Sequence, residues 1–229
     1  MVIKAWQVGG HVRDMLLGIK SKDIDYAVEA PDYESMVAWI EAQGATIFLQ
    51  QPEYWTVRAL IPGKLPSDYV LCRKDGQYSD GRRPDTVMVG TLADDLARRD
   101  FTVNAIAYEE ETGVIFDPHN GQHDLRHGEL RCVGSAIERF EEDALRLLRA
   151  IRFAITKGFR LNMNIIQCLH MPYLTKKLQT HVSEERIREE LLKCFHHDTF
   201  RTLDFLYQYP LIKNACFQGR IWLLPTVRA

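Results

Sequence analysis

No two cysteines of this chain stand in C-x-x-C spacing. The five present, Cys72, Cys132, Cys168, Cys194 and Cys216, are scattered and odd in number. That pattern argues against a disulfide framework or a zinc knuckle and predicts small, reduced, mostly buried side chains. No apolar run approaches the ~20 residues of a membrane span. No apolar leader follows Met1, so the expected location is the cytoplasm. An excess of positive charge is lacking too: 29 Lys and Arg face 31 Asp and Glu, for a formal net charge of −2. Bulk electrostatics therefore do not announce a nucleic-acid partner. Internal repeats and low-complexity segments are absent. What the chain does have is local: arginines cluster at Arg82–Arg83, at Arg98–Arg99, and at Arg146, Arg149 and Arg152. Its 229 residues, 46% of them hydrophobic, suffice for one large domain or two small ones with a real core.

Punctuation and periodicity predict a mixed α/β region to about residue 122, followed by helices. Residues 3–8 read as a strand ending at Gly9–Gly10, and a helix from His11 to Leu17 stops at Gly18. Ile24–Glu29 reads as a second strand. Asp32 caps a helix running to about Ala42, and Gly44 ends it. Further strands are expected at 45–49, 55–61 and 68–72, with a hairpin around the Glu-Thr-Gly turn at 111–113. Ser135-x-x-Glu138 is a capping-box pattern opening the helical part, with strong helices over 143–157 and 183–196.

The stretch VGGHVRDMLLGIKSKDIDYAV, Val8 to Val28, carries the chemistry. Asp23 and Asp25 are two apart on the expected strand, so both carboxylates face one way. Alone they would repel and resist ionisation. A divalent metal removes that conflict, and hard oxygen ligands suit Mg²⁺. Two metals about 3.5–4 Å apart could activate an attacking hydroxyl and stabilise a leaving pyrophosphate. Gly9–Gly10 lets backbone N–H groups approach a phosphate at a helix start. Arg13, one turn on, suits a bidentate phosphate contact, and Asp14 reads as a partner for a nearby arginine. Taken singly, D-x-D and G-G are common on exposed strands and in tight turns.

In order along the chain, GGHVRDMLLG with DID, SDYVLCRKDGQYSDGRRPDTV, RRDFTVNAIAY, DPHNGQHDLRHGELR, EDALRLLRAIRFA and ERIREELLK together resemble the class II tRNA nucleotidyltransferases, the CCA-adding enzymes, and their relatives the bacterial poly(A) polymerases. The likeness covers roughly the first 200 residues. It implies an α+β fold: a nucleotidyltransferase-type mixed-sheet head over 1–122, a helical neck over 123–200, and a short remnant of a helical body over 201–229. It implies Asp23, Asp25 and Asp68 as catalytic metal ligands for Mg²⁺. Gly10 and Arg13 would hold the triphosphate, and Arg99, Asp100 and Asn104 the sugar and phosphates. Tyr78 to Pro84 would be a mobile element that helps the pocket change from C to A.

The resemblance further implies that Asp143 and Arg146 choose the base. Spaced by three with Arg149, they would line one side of a helix, with Ala144, Leu148, Ile151 and Ile155 as the buried stripe. A carboxylate accepts from the amino group of cytosine or adenine and repels the carbonyl of guanine or uracil. Arg149 and Arg152 would then face phosphates. The implied reaction adds C and A to the 3′ end of tRNA from CTP and ATP, with no membrane partner. The alternatives are an A-adding enzyme or poly(A) polymerase, and, in another class, a non-catalytic RNA-binding relic. Two further patterns stand apart. His119, His123 and His127 are four apart, but Pro118 and Asn120–Gly121 break any common helix. His123-Asp124 and His197-Asp198 evoke HD phosphohydrolases without the further ligands those need. The oligomeric state is not legible in the sequence.

Overall fold

The computed structural model describes residues 2–21, 23–76 and 85–217. They fall into two compact units, divided between Gly134 and Ser135.

The first unit is built on a seven-stranded mixed sheet. Its strands are β1 (Lys4–Val8), β2 (Ile24–Glu29), β3 (Thr46–Gln51), β4 (Thr56–Leu60), β5 (Ser67–Leu71), β8 (Ala107–Tyr108) and β9 (Ile115–Phe116), and β6 (Arg73–Asp75) and β7 (Val87–Val89) form a separate hairpin. The order across the sheet is β3-β4-β5-β2-β1-β8-β9. Only the central pair, β2 with β5, runs parallel; the other pairings are antiparallel. The helices are α1 (Gly10–Leu16), α2 (Tyr33–Ala42), α3 (Leu92–Ala97) and α4 (Gly121–His127). Helix α2 begins where Asp32 accepts a 2.7 Å hydrogen bond from the Ser35 N–H. Helix α3 begins at a reciprocal capping box between Thr91 and Asp94.

The sheet is covered on both faces. On one, Tyr26, Val28, Val57, Tyr69 and Leu71 pack with Met36 and Ile40 of α2. On the other, Val8, Ala27, Ala105 and Ala107 pack with Leu92 and Leu96 of α3. Each fully buried Leu, Ile or Met contributes roughly 1.5–3 kcal/mol, which fixes the register of the strands carrying the polar residues.

The unit runs past the boundary expected at 122. Thr102 donates to the Arg131 carbonyl at 2.9 Å and Val133 to that of Asp100 at 3.2 Å. Phe101 bridges Cys132, and Leu130 is fully buried. Residues 129–133 are thus stitched onto 100–102 and belong to the sheet's unit.

The second unit, as described from Ser135 to Phe217, is dominated by helices: α5 (Ala136–Glu142), α6 (Leu145–Lys157), α7 (Met163–Leu169), α8 (Pro172–His181), α9 (Glu184–His197), α10 (Thr199–Gln208) and α11 (Pro210–Phe217). Ser135 caps α5 through the Glu138 N–H, as its spacing predicts. Helix α6 buries Leu145, Leu147, Leu148, Ala150, Ile151, Phe153, Ala154 and Ile155, a wider stripe than the sequence suggests. Leu206, Ile212 and Ala215 are buried in the same unit, so 201–217 packs with these helices. Among the described residues no helix is long and apolar enough to cross a membrane.

Candidate active site

The acids are organised by the parallel pair. Asp25 of β2 and Asp68 of β5 are Cα partners across it, and so are Tyr26 and Tyr69 one residue on. Alternation sends the tyrosines to the α2 face, where their rings stack with centroids 4.9 Å apart. The two carboxylates go to the other face. Asp23 lies one residue before β2 begins and is exposed, so the strand carries Asp25 alone and Asp23 sits at its mouth. The Asp25 carboxyl reaches solvent, yet it is held above the ordinary carboxylate range. Displacement of bulk water by the surrounding protein is the largest cause, followed by the negative charge of Asp68 and, less, of Asp23; Arg99 and His11 pull the other way.

Arg58, which the sequence reading did not single out, extends this row. It is the Cα partner of Asp68 on β4, and its Nε lies 3.8 Å from Asp68 Oδ1 with both side chains well exposed. Two registered carboxylates crowding one another fit a small divalent cation by donor type and charge. Among the described residues no three His, Cys, Asp or Glu side chains converge into a ready-made metal cluster.

Beside the acids lies the glycine turn. Gly9, the cap of α1, has φ 72°, and a Cβ there would stand 3.0 Å from Arg99 Nη1 and 3.9 Å from Asp25 Oδ2. The turn therefore requires glycine at 9, for its backbone and for the arginine against it. Gly10, the expected phosphate-holding residue, is under no such constraint: a Cβ there would meet Arg13 Nη2 at an ordinary 3.5 Å.

Arg99 is aimed at this turn by Asp95, which accepts from its Nε at 3.3 Å and its Nη2 at 2.9 Å, while Nη1 donates to the Asn104 carbonyl at 3.3 Å. Asp95 is buried and also takes Arg98 at 2.6 Å. Burial alone would raise its carboxyl, but Arg99 and Arg98 hold it below the usual range. Asp95 sits on α3 and Arg99 just past its C-cap Arg98; four residues apart, the two meet across the last turn, and Asp95 is a positioning residue that the i, i+4 spacing itself signals.

Arg13 is buried. Its Nε donates to Asp14 Oδ1 at 2.8 Å, the partnership expected for Asp14, and its Nη1 to Asn104 Oδ1 at 2.7 Å. Asn104 Nδ2 donates in turn to Asp100 Oδ1 at 3.0 Å. Arg13, Asn104 and Asp100 thus form one buried chain beside the glycine turn. The turn bearing Asn104 is braced from behind: Thr102 Oγ1 donates to buried Asp124 at 2.6 Å, and a Cβ on Gly121 would sit 2.2 Å from the Thr102 carbonyl. Asp124 of the His-Asp pair is therefore a structural brace. Helix α4 starts only at Gly121, leaving His119 outside it, while the rings of His123 and His127 stack at 4.1 Å.

In the helical unit, one expectation is corrected. Asp143 is not on the helix of Arg146 and Arg149. It has φ −147° and ψ 103°, between α5 and α6, and its Oδ1 accepts the Leu145 N–H at 3.0 Å. An aspartate ahead of a helix prefers that capping role to a further helical turn. Its partner is Arg186 of α9, whose Nη2 donates to Asp143 Oδ2 at 2.8 Å. Arg146 instead donates to Glu142 at 2.6 Å and to the Arg139 carbonyl at 3.0 Å.

Arg152, expected to face phosphates, pairs with Glu190 of α9 and lies over the Phe153 ring at 4.4 Å. Glu190 is buried. Against that burial, Arg152 first, then Lys193 and Arg149, hold its carboxyl below the ordinary value. Arg149 lies 5.8 Å from the Phe153 centroid. Arg186, Glu142 and Glu190 escaped the sequence reading because their partners lie on other helices or were assigned elsewhere. The loop Tyr78 to Pro84 lies outside the described residues.

A mixed sheet with registered acids on its central parallel strands, a glycine turn at the first helix and a buried arginine–asparagine–aspartate chain defines a head of the nucleotidyltransferase type. The sequence pattern of the poly A polymerase head domain matches residues 5–131, and the chain belongs to that family. It is similar to the CCA-adding enzymes of Oceanobacillus iheyensis, 40% identical over 82% of this chain and 45% of that protein, and of Geobacillus stearothermophilus, with the same identity and coverage. The chain thus spans less than half the length of these relatives. Its fold matches the crystal structure of the Bacillus stearothermophilus CCA-adding enzyme in complex with CTP (TM-score 0.77, 34% identity, 91% of this chain and 49% of that one). It also matches a tRNA nucleotidyltransferase complexed with a primer tRNA and an incoming ATP analog (TM-score 0.75, 29% identity, 96% and 61%).

Proposed function

We propose that this chain carries the catalytic and base-selecting parts of a template-independent tRNA nucleotidyltransferase, adding C and A to tRNA 3′ ends from CTP and ATP in the cytoplasm. The observation that carries the reading is the registered pair Asp25 and Asp68 beside the Gly9 turn and Arg99, in a chain related to CCA-adding enzymes. The primer 3′-OH attacks the α-phosphate in line and pyrophosphate leaves. Such a transfer is mostly positioning and charge stabilisation.

Asp25 and Asp68, with Asp23 at the mouth of the strand, are the residues that would hold Mg²⁺. When bound, the metal lowers the pKa of the attacking hydroxyl and offsets charge on the leaving group. Gly9 and Gly10 leave the backbone open to the triphosphate. Arg99, steered by Asp95, supplies positive charge against it. Arg13, Asn104 and Asp100 line the sugar, where an amide and a carboxylate can test for a 2′-OH. Asp143, held by Arg186, accepts from the amino group of cytosine or adenine, and Arg146 donates to the ring. Arg149 lies on the same helix for a phosphate contact, whereas Arg152 serves as a helix-to-helix tie.

The test is incubation with tRNAs ending before CCA, after C and after CC, with each NTP separately and products resolved at one-nucleotide length. C addition to the first two and a single A on the third are expected. Repeated A on every primer would make the chain a poly(A) polymerase, and A on the last alone an A-adding enzyme. No extension of any primer would leave the RNA-binding relic. Deleting residues 78–84 is expected to spare CC addition and block the final A.

A further inference from the structure

Behind the acids, on the α2 face of the sheet, lies a cavity of about 340 Å³ that the nucleotidyl transfer does not use. Its walls include Tyr26, Trp39, Ile61, Lys64, Tyr69 and Glu110. That volume is within the usual range for small-molecule sites. The tyrosines are stacked, and Trp39 meets Tyr69 edge-on at 6.4 Å.

The hydrogen bonding is uneven. Tyr26 is partnered: its hydroxyl accepts from Gln7 at 3.3 Å and donates to Glu110 at 3.2 Å. Lys64 also reaches Glu110, at 2.8 Å, with its ammonium 5.2 Å from the Tyr26 centroid. Tyr69 is 1% exposed, and its hydroxyl finds no partner among the described residues. A buried hydroxyl left without a partner costs about 1–3 kcal/mol, and a phenylalanine would fill the same space without that cost. A tyrosine here therefore asks for a ligand that supplies the missing acceptor. The rim adds a second constraint. Glu109, Glu110 and Glu111 border the cavity against Lys4 and Lys64, which favours amino substituents and disfavours phosphate.

We propose that this cavity binds a small, planar, amino-substituted heteroaromatic molecule without phosphate, of nucleoside size, with an acceptor for Tyr69 and its ring against Tyr26 and Trp39. Such a ligand would stiffen β2 and β5 from the side away from Asp25 and Asp68.

Adenosine is the probe, titrated calorimetrically into the full chain without divalent metal. Saturable binding is expected, weakened about fivefold or more in Tyr69→Phe, the loss of roughly one hydrogen bond. The melting temperature of Tyr69→Phe should stay level or rise, so stability and binding move in opposite directions, which a purely structural tyrosine would not produce. Asp25→Asn should bind adenosine as the parent does, and adenosine monophosphate should bind more weakly than adenosine. Absence of binding, equal binding by Tyr69→Phe, loss of binding in Asp25→Asn, or tighter binding of the monophosphate would each overturn the proposal.

Discussion

Asp25 shows how a single residue trades stability for chemistry. Its carboxyl is raised by the protein around it and by Asp68. For a group whose folded value lies above its unfolded one, the stabilising contribution is complete below the unfolded value and is lost as pH rises through the folded one. At neutral pH the ionised acid is therefore a burden on the fold. Asp25→Asn should raise the melting temperature at pH 7 and abolish incorporation. Mg²⁺ should stabilise the parent chain, by about 1.4 kcal/mol at ten times its dissociation constant, and should do so far less for Asp25→Asn; a thermal melt with and without Mg²⁺ reads both. The two glycines give a sharper contrast. Gly9→Ala should cost roughly 1–3 kcal/mol, because φ 72° with ψ −134° is a backbone open to glycine and strained for any other residue, and should displace Arg99. Gly10→Ala should be close to neutral in stability. Urea melts of the two variants separate a required glycine from a merely adjacent one.

At the scale of elements, the period-2 expectation places Asp23 and Asp25 side by side on one strand face; β2 begins at Ile24, so it carries Asp25 alone, with Tyr26 facing the opposite way because alternation is local. The pairing of β2 with β5 joins segments about forty residues apart, and no local pattern encodes a non-local register; only the family resemblance sets Asp68 on a strand beside Asp25. Helix α6 illustrates the converse error. A spacing of three at Asp143, Arg146 and Arg149 looks helical, but the preference of aspartate for a free backbone N–H, here that of Leu145, breaks the helix first. The ion pair between α6 and α9 has its own pH signature. The Glu190 carboxyl is depressed below its ordinary value of 4.5. The pair's contribution is therefore present above about that value and lost as pH falls through the lower folded one. Glu190→Gln should destabilise at pH 7 by roughly 3 kcal/mol, because Arg152 loses its partner. The difference from the parent should shrink in acid, as seen in denaturation at pH 7 and pH 3.

For the whole molecule, the acids and the residues proposed to select the base belong to different compact units, so chemistry and choice should separate under mutation. Arg186→Ala, which removes the partner of Asp143, is expected to admit G or U about tenfold more readily relative to C and A, the worth of one charge-assisted hydrogen bond. It should leave the Mg²⁺-induced stabilisation unchanged. Single-nucleotide incorporation with each NTP, beside the thermal melt, checks both. Much of the candidate site was readable because its residues come in short local motifs. The parts that were not, Arg58 facing Asp68, Asp95 behind Arg99 and Arg186 on Asp143, are the supports, and supports come from wherever the chain returns in space. The extent of the sheet's unit follows the same rule: residues 129–133 come back to 100–102, and sequence order does not reveal a return.

The stacked tyrosines directly after the paired aspartates have an evolutionary corollary. On β2 and β5 an acid is followed by an aromatic, in step across the pair. Deleting one residue within Ile24–Glu29 would turn a carboxylate into the oily side and a phenol toward water at a stroke. Length changes in this family member should therefore accumulate in the connections around these two strands and spare their interiors.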